Sequence, residues 1–223
     1  MRTPEGLSRR HVLGRAVALG SLALAGRVRA VGAQPSKWTP DQILGPFYPV
    51  VKPPYQGADL TTIPGKPGRA AGQVLHVMGR VVTPQGHPVP GARMEIWQAN
   101  THGRYTHPSD TNPAPLDPNF AGFAALTTDA EGRYQFKTIK PGGYPTGTDL
   151  PMRPPHIHFE VTGQSNRLVT QLYFAGEPLN DTDPFLQGAG ANKERLIVSL
   201  EPPTQGLEPD ARVAVWDIVL EQG

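Results

Sequence analysis

The order of apolar and polar positions along the chain reads as a succession of short strands. Val74–Val82 is mostly apolar and opens the series. The stretch Ala92-Arg93-Met94-Glu95-Ile96-Trp97-Gln98-Ala99 alternates small or apolar residues with polar ones, the period of two expected of a strand with one buried face. Further strands are expected at 123–128, 133–136, 159–161, 168–174, 195–200 and 213–220. Turn chemistry separates them, as in Pro84-Gln85-Gly86-His87-Pro88 and Asp129-Ala130-Glu131-Gly132. Downstream of the leader no stretch carries a helical period over ten residues. The pattern predicts an all-β protein whose core is an antiparallel β-sandwich over 73–223, preceded by an irregular Pro/Gly-rich arm at 34–72.

Within that pattern one stretch carries chemistry, Arg153-Pro154-Pro155-His156-Ile157-His158-Phe159. The prolines hold the approach extended. In a strand His156 and His158 then project from one face, while Ile157 and Phe159 point into apolar packing. Two imidazoles at i and i+2 make half of a metal site, and they equally suit hydrogen bonding at a sheet edge. Residues 106–120 form a loop with four prolines, and a loop of that length in a small domain is usually functional.

Composition narrows the chemistry. The 223 residues hold 25 glycines and 26 prolines, which favours turns over long helices. There is no cysteine, so disulfides, thiolate ligands and a cysteine nucleophile are excluded, and a metal here sits on nitrogen and oxygen. The formal charge of +2 is dominated by the first 33 residues, which hold six arginines and one glutamate. Without them the balance is 15 basic to 18 acidic residues, and nothing in it suggests a nucleic-acid footprint. Ser8-Arg9-Arg10-His11-Val12-Leu13 opens an apolar run that ends near Ala25, and Val31-Gly32-Ala33 is a plausible cleavage site. Residues 1–33 read as a signal peptide with a twin-arginine start, an ordinary secretory signal being the alternative. The apolar run is too short for a stable membrane span, so an exported, periplasmic or secreted protein is expected.

The pattern Gly79-x-Val81 to Gly86, Val89-Pro90-Gly91-Ala92 and Thr128-Asp129-x-x-Gly132-x-Tyr134-x-Phe136 resembles the transthyretin-like sandwiches, many of which are binding modules without chemistry. Five further motifs stand beside it: Gly45-Pro46-Phe47-Tyr48, Trp97-Gln98-Ala99-Asn100 leading to Gly103-Arg104-Tyr105, Gly143-Tyr144-Pro145, the His156/His158 stretch, and Gln171-Leu172-Tyr173-Phe174. Together, over residues 40–220, they resemble the intradiol ring-cleavage dioxygenases of the protocatechuate β-chain type. The resemblance implies a non-haem Fe(III) held by Tyr105, Tyr144, His156 and His158. It implies catechol-type substrates opened by O2 between the two hydroxyls to cis,cis-muconate-type acids. It also implies catalytic roles for Tyr144 as a displaceable ligand and base, Arg153 as a fixed cation beside the ring, and Gln171 as a polar support. The preference of a hard ferric ion for anionic oxygen fits that set. Tyr48, Tyr55, Tyr134 and Tyr173 are expected to be packing residues, and His76, His87, His102 and His107 surface or loop groups. Trp97 is expected to pack behind the metal. The resemblance implies relatives that pair with an α chain, which leaves such a partner open here, while export as a lone chain suggests a homo-oligomer or a monomer. The competing readings are a secreted binding module, with another metal or none, and a zinc hydrolase with Glu160 as its base.

Overall fold

The computed structural model describes residues 38–146 and 151–221; residues 1–33, expected to be a twin-arginine signal peptide, lie outside the described residues. Eleven strands are described: β1 (Val74–Val82), β2 (Arg93–Trp97), β3 (Phe123–Thr127), β4 (Arg133–Ile139), β5 (Tyr144–Pro145), β6 (Met152–Arg153), β7 (His156–Thr162), β8 (Arg167–Phe174), β9 (Ile197–Val198), β10 (Arg212–Val215) and β11 (Ile218–Val219). A short helix, α1 (Pro184–Gly188), lies between two 3-10 turns after β8. No helix among the described residues is long and apolar enough to cross a membrane.

The strands form the two layers of a sandwich. One layer runs β10-β1-β11, with β4 also on β1; the other runs β3-β2-β7-β8-β9. The all-β sandwich is the expected one, and its long pairings (β1 with β4, β2 with β3 and β7, β7 with β8) are antiparallel. Three short pairings are parallel: β10 and β11 on β1, and β9 on β8. A strand of two to four residues reached by a long connection can be laid down in either sense, and alternation of side chains does not record which.

Between the layers the core is built from alternate positions. Leu75, Val77 and Val81 of β1 and Phe136 of β4 face Met94 and Ile96 of β2 and Ile157, Phe159 and Val161 of β7. Phe159 bridges the layers, edge-on to Phe136 (5.9 Å) and to Trp216 (5.1 Å). With the odd positions of β7 committed to that core, His156 and His158 must lie on the outer face of the sheet.

The arm covers that outer face. Thr39 bonds to Val219, Gln42 to Val169, and the Thr170 hydroxyl donates to the Pro40 carbonyl. Two expected strands are shorter or broken. Residues 190–196 coil into a 3-10 turn before β9, because the Trp216 indole donates to the Arg195 carbonyl and holds that segment curled. The stretch 213–220 is split at Trp216-Asp217, where Asp217 turns to accept from the Arg80 backbone. Tyr144 sits in the two-residue strand β5, paired to β6.

Candidate metal centre

Register places the site residues in rows. On the outer face of the second layer, Trp97 of β2 lies opposite His158 of β7, which lies opposite Gln171 of β8; His156 lies opposite Tyr173. Cross-strand neighbours on one face touch. Accordingly the Trp97 indole stacks on His158 at 4.9 Å and 12°, and His156 stacks on Tyr173 at 5.5 Å. Trp97 therefore packs on His158.

Tyr144 is brought in by β5, which pairs with β6 so that Tyr144 lies opposite Arg153. Tyr105 comes from the long loop after β2. Its backbone N–H donates to the Asp110 carboxylate at 2.7 Å, and Asn100 accepts from His102 and Arg104 to shape the turn before it. Gly103 makes that turn possible: it has φ +75°, and a Cβ there would lie 2.1 Å from the Gly143 carbonyl oxygen. The loop and the β5 approach can nest only if that position lacks a side chain.

The four residues named from the sequence are thus brought together. His156 Nε2 lies 3.2 Å from His158 Nε2 and 3.4 Å from the Tyr144 hydroxyl. The Tyr105 ring is edge-on to Tyr144 at 5.3 Å and 6.3 Å from His158. All four are buried. His156 Nδ1 donates to the Pro154 carbonyl at 2.7 Å, which fixes the tautomer and leaves the Nε2 lone pair facing the Tyr144 hydroxyl and His158 Nε2. Burial holds both imidazoles well below their ordinary pKa, helped by Arg153 and, for His158, by His156, so both are neutral. Burial also raises both phenols: Tyr105 further through the charge of Tyr144, Tyr144 less because Arg153 opposes the shift. The Tyr105 hydroxyl is buried and makes no hydrogen bond of ordinary geometry, nor does His158 Nδ1.

These residues fit a bound cation. A buried hydroxyl without a partner costs about 1–3 kcal/mol, and a lone pair aimed at neighbouring donors adds to that. A hard metal ion among two phenol oxygens and two neutral imidazole nitrogens relieves both.

Arg153 and Gln171 lie beside the donors in one buried polar network. Arg153 Nε and Nη2 donate to the two carboxylate oxygens of Asp183 at 2.9 and 3.0 Å. Nη2 also donates to Gln171 Oε1 and to the Tyr173 hydroxyl. Burial alone would lower the Arg153 pKa, but the hydrogen bond to Asp183 and the phenols of Tyr173 and Tyr144 outweigh it, and the guanidinium stays charged. Gln171 Nε2 donates to the Ile43 carbonyl, so it ties the cation to the arm. Gly45, at φ +76°, passes so close to His158 that a Cβ would lie 3.1 Å from its Cε1. Phe47 packs on Tyr105 (4.6 Å) and Tyr144 (5.9 Å).

Two assignments change. Tyr173, expected to be a packing residue, uses its hydroxyl in this network, a role signalled by its place two residues after Gln171 on the same strand face. His76, expected at the surface, is buried on β1 against Glu208 at 2.7 Å. The residue that alternation could not reveal is Asp183. It caps α1 by accepting from the Leu186 N–H and neutralises Arg153 with the same carboxylate. An Asp-Pro start to a helix marks the cap, but nothing marks the partner thirty residues upstream. Glu160 is paired with Arg167 at 2.6 Å.

A β-sandwich with two tyrosines and two histidines converging on one buried point is a candidate metal centre of the hard-ion class. A family model described as Dioxygenase matches residues 43–222. The protocatechuate 3,4-dioxygenase β chain of Burkholderia cepacia is 49% identical over 154 residues, 66% of each chain. Catechol 1,2-dioxygenase 1 of Acinetobacter lwoffii is 37% identical over 71% of this chain and 52% of its own length. Among solved structures, the dioxygenase domain of a dioxygenase–carbohydrate-binding fusion from Streptomyces sp. SirexAA-E superposes with a TM-score of 0.61 at 29% identity, over 83% of this chain and 99% of that one. Catechol 1,2-dioxygenase from Acinetobacter sp. ADP1 gives 0.63 at 29% identity, over 82% and 63%. The chain belongs to the intradiol dioxygenase family. It spans between about half and two-thirds of the length of these curated relatives.

Proposed function

We propose that the protein is a ferric intradiol dioxygenase. It opens catechol-type diols with O2 between the two hydroxyls and yields cis,cis-muconate-type dicarboxylic acids that carry both oxygen atoms. The observation that carries the reading is the buried Tyr105 hydroxyl without a hydrogen bond of ordinary geometry, its ring against Tyr144 and His158, with His156 Nε2 beside both of those. Iron would be held by those four residues; when bound it would supply a Lewis acid that favours loss of the diol's protons and draws electron density from the ring, activating it toward O2.

The remaining work falls to the chain's own groups. Tyr144 Oη, whose burial makes its phenolate a strong base, takes one proton from the arriving diol. Pro154 keeps the His156 proton on Nδ1, away from the reacting side. Arg153, locked by Asp183, presents a fixed positive charge where the ring gains carbanion character, and it needs no reorganisation as that charge develops. Gln171 and Tyr173 hold the guanidinium in place, and Trp97 keeps His158 from rotating. Phe47 and Gly45 of the arm exclude water from the donors.

The leader supports export by the twin-arginine route to the periplasm or beyond. The name of the Burkholderia relative supports an α-type partner chain, with a homo-oligomer as the alternative. Oxygen uptake with a panel of catechols, with products identified, tests the reading. Ring opening between the hydroxyls is the expected result. Opening beside them, or no uptake by iron-replete protein, overturns it.

A further inference from the structure

A cavity of about 550 Å³ opens next to the donor set, lined by Pro46 and Phe47 of the arm, by residues 109–113, and by Pro145 and Thr146. Three links tie it to the site. Phe47 lines it and packs on both Tyr105 and Tyr144. Asp110 lines it and holds the Tyr105 backbone N–H. Pro145 lines it and directly follows Tyr144. Its volume falls in the range that accepts a drug-sized ligand, more room than a diol ring bearing one small group needs.

The chemistry of the lining is one-sided. Ser109, Thr111 and Thr146 bring hydroxyls, and Asn112 an amide whose Nδ2 is already spent on the Gly103 carbonyl. Asp110 is a buried carboxylate, and no lysine, arginine or histidine lines the cavity among the described residues. The basic side chains near the donor set lie off the cavity wall. Arg153 is paired with Asp183, and Lys52 with Glu95 over the Tyr48 and Phe123 rings; Arg104 donates to the Ala114 carbonyl, and His107 packs on Phe47 while its Nδ1 accepts from the Ser109 N–H. A carboxylate on the substrate ring would lose its water here, find no counter-charge on this chain, and face Asp110.

Building on the dioxygenase reading, we propose that this cavity receives the ring substituent of the diol and selects neutral, hydrogen-bonding substituents over anionic ones. Esters, amides, alcohols and bulkier neutral side chains fit; a ring carboxylate does not. This separates the chain's preference from the name of its Burkholderia relative, whose substrate carries such a carboxylate. If a carboxylated diol is to bind well, its counter-charge must come from outside this chain.

The test compares 3,4-dihydroxybenzoate with its methyl ester and its primary amide, which keep a carbonyl at the same ring carbon. Binding to the metal-replete full chain is measured by anaerobic titration calorimetry, so that no turnover intervenes, and kcat/KM is then measured in air. The neutral pair is expected to bind at least about tenfold more tightly than the acid, the scale of an unpaired charge at a partly open site. Thr111→Lys, an exposed position on the cavity wall, is expected to recover most of that deficit for the acid. Tighter binding of the acid by the unaltered chain, or no response of the acid to Thr111→Lys, overturns the assignment. If the acid is preferred and ring opening proceeds between the hydroxyls, only the cavity assignment falls. If none of the three compounds binds or is opened, the dioxygenase reading falls with it.

Discussion

Replacing Tyr105 with phenylalanine separates a group kept for chemistry from one kept for stability. The ring packs between Phe47 at 4.6 Å and Tyr144 at 5.3 Å, and phenylalanine preserves those contacts. Only the hydroxyl is lost. In the metal-free protein that hydroxyl is buried and makes no hydrogen bond of ordinary geometry, only a weak polar contact with the Tyr144 hydroxyl, so its removal relieves a desolvation cost of about 1–3 kcal/mol and forfeits little. Metal-free Tyr105→Phe is therefore expected to be more stable than the metal-free parent by about 1 kcal/mol, the lower end because neighbouring side chains relax around the parent's hydroxyl. Urea unfolding of the two apo-proteins, followed by tryptophan fluorescence, gives the difference directly. With iron the order reverses, since bound ligand stabilises the parent by mass action and the variant much less. An apo-variant less stable than the parent by 1 kcal/mol or more would show that the hydroxyl is structural, and the case for a metal at this point would lose its main support.

Asp183→Asn strikes Arg153 from behind. The amide nitrogen must face either Arg153 Nε or the trio of Arg153 Nη2, Tyr173 and Leu186, so at least one donor of a buried guanidinium loses its acceptor along with the counter-charge; denaturant unfolding should show a loss of about 3–5 kcal/mol, and kcat should fall more than KM rises. Gly45→Ala puts a Cβ on His158 at φ +76°; the protein should fold with about 1–2 kcal/mol less stability and retain less iron on dialysis against chelator. Glu208, bonded to Lys137 first and then to His76, has its pKa lowered to about 2. A lowered carboxylate pKa gives stability that is complete above the ordinary value and lost as pH falls toward the lowered one. Because the group is about a third exposed, the parent should lose no more than about 1 kcal/mol relative to Glu208→Gln between pH 5 and pH 2, read from thermal midpoints.

The parts of this molecule that the chain spells out are those governed by local alternation. A strand that buries Ile157 and Phe159 has no choice but to turn His156 and His158 outward, and the rows Trp97–His158–Gln171 and His156–Tyr173 follow once the strands are in register. Tyr105 and Tyr144 are a different matter. Tyr105 arrives from a loop and Tyr144 from a strand of only two residues, and only their motifs placed them beside the histidines; the interlocking of Gly103 with the Gly143 carbonyl that brings them together is a long-range steric fit with no period to read. The parallel seating of β10 and β11 on β1 is hidden for the same reason, as is the curl of 190–196 under the Trp216 indole. Asp183 lies further out of reach, since its cap is local but its charge answers an arginine on another element.

The most direct test of the central claim is the metal content and visible spectrum of the purified full-length protein, taken together with those of Tyr105→Phe and His158→Ala. One iron per chain, with a burgundy absorption from tyrosinate-to-iron charge transfer that both substitutions weaken or abolish, is the predicted result. A colourless protein that takes up no iron, or one whose colour survives both substitutions unchanged, contradicts it.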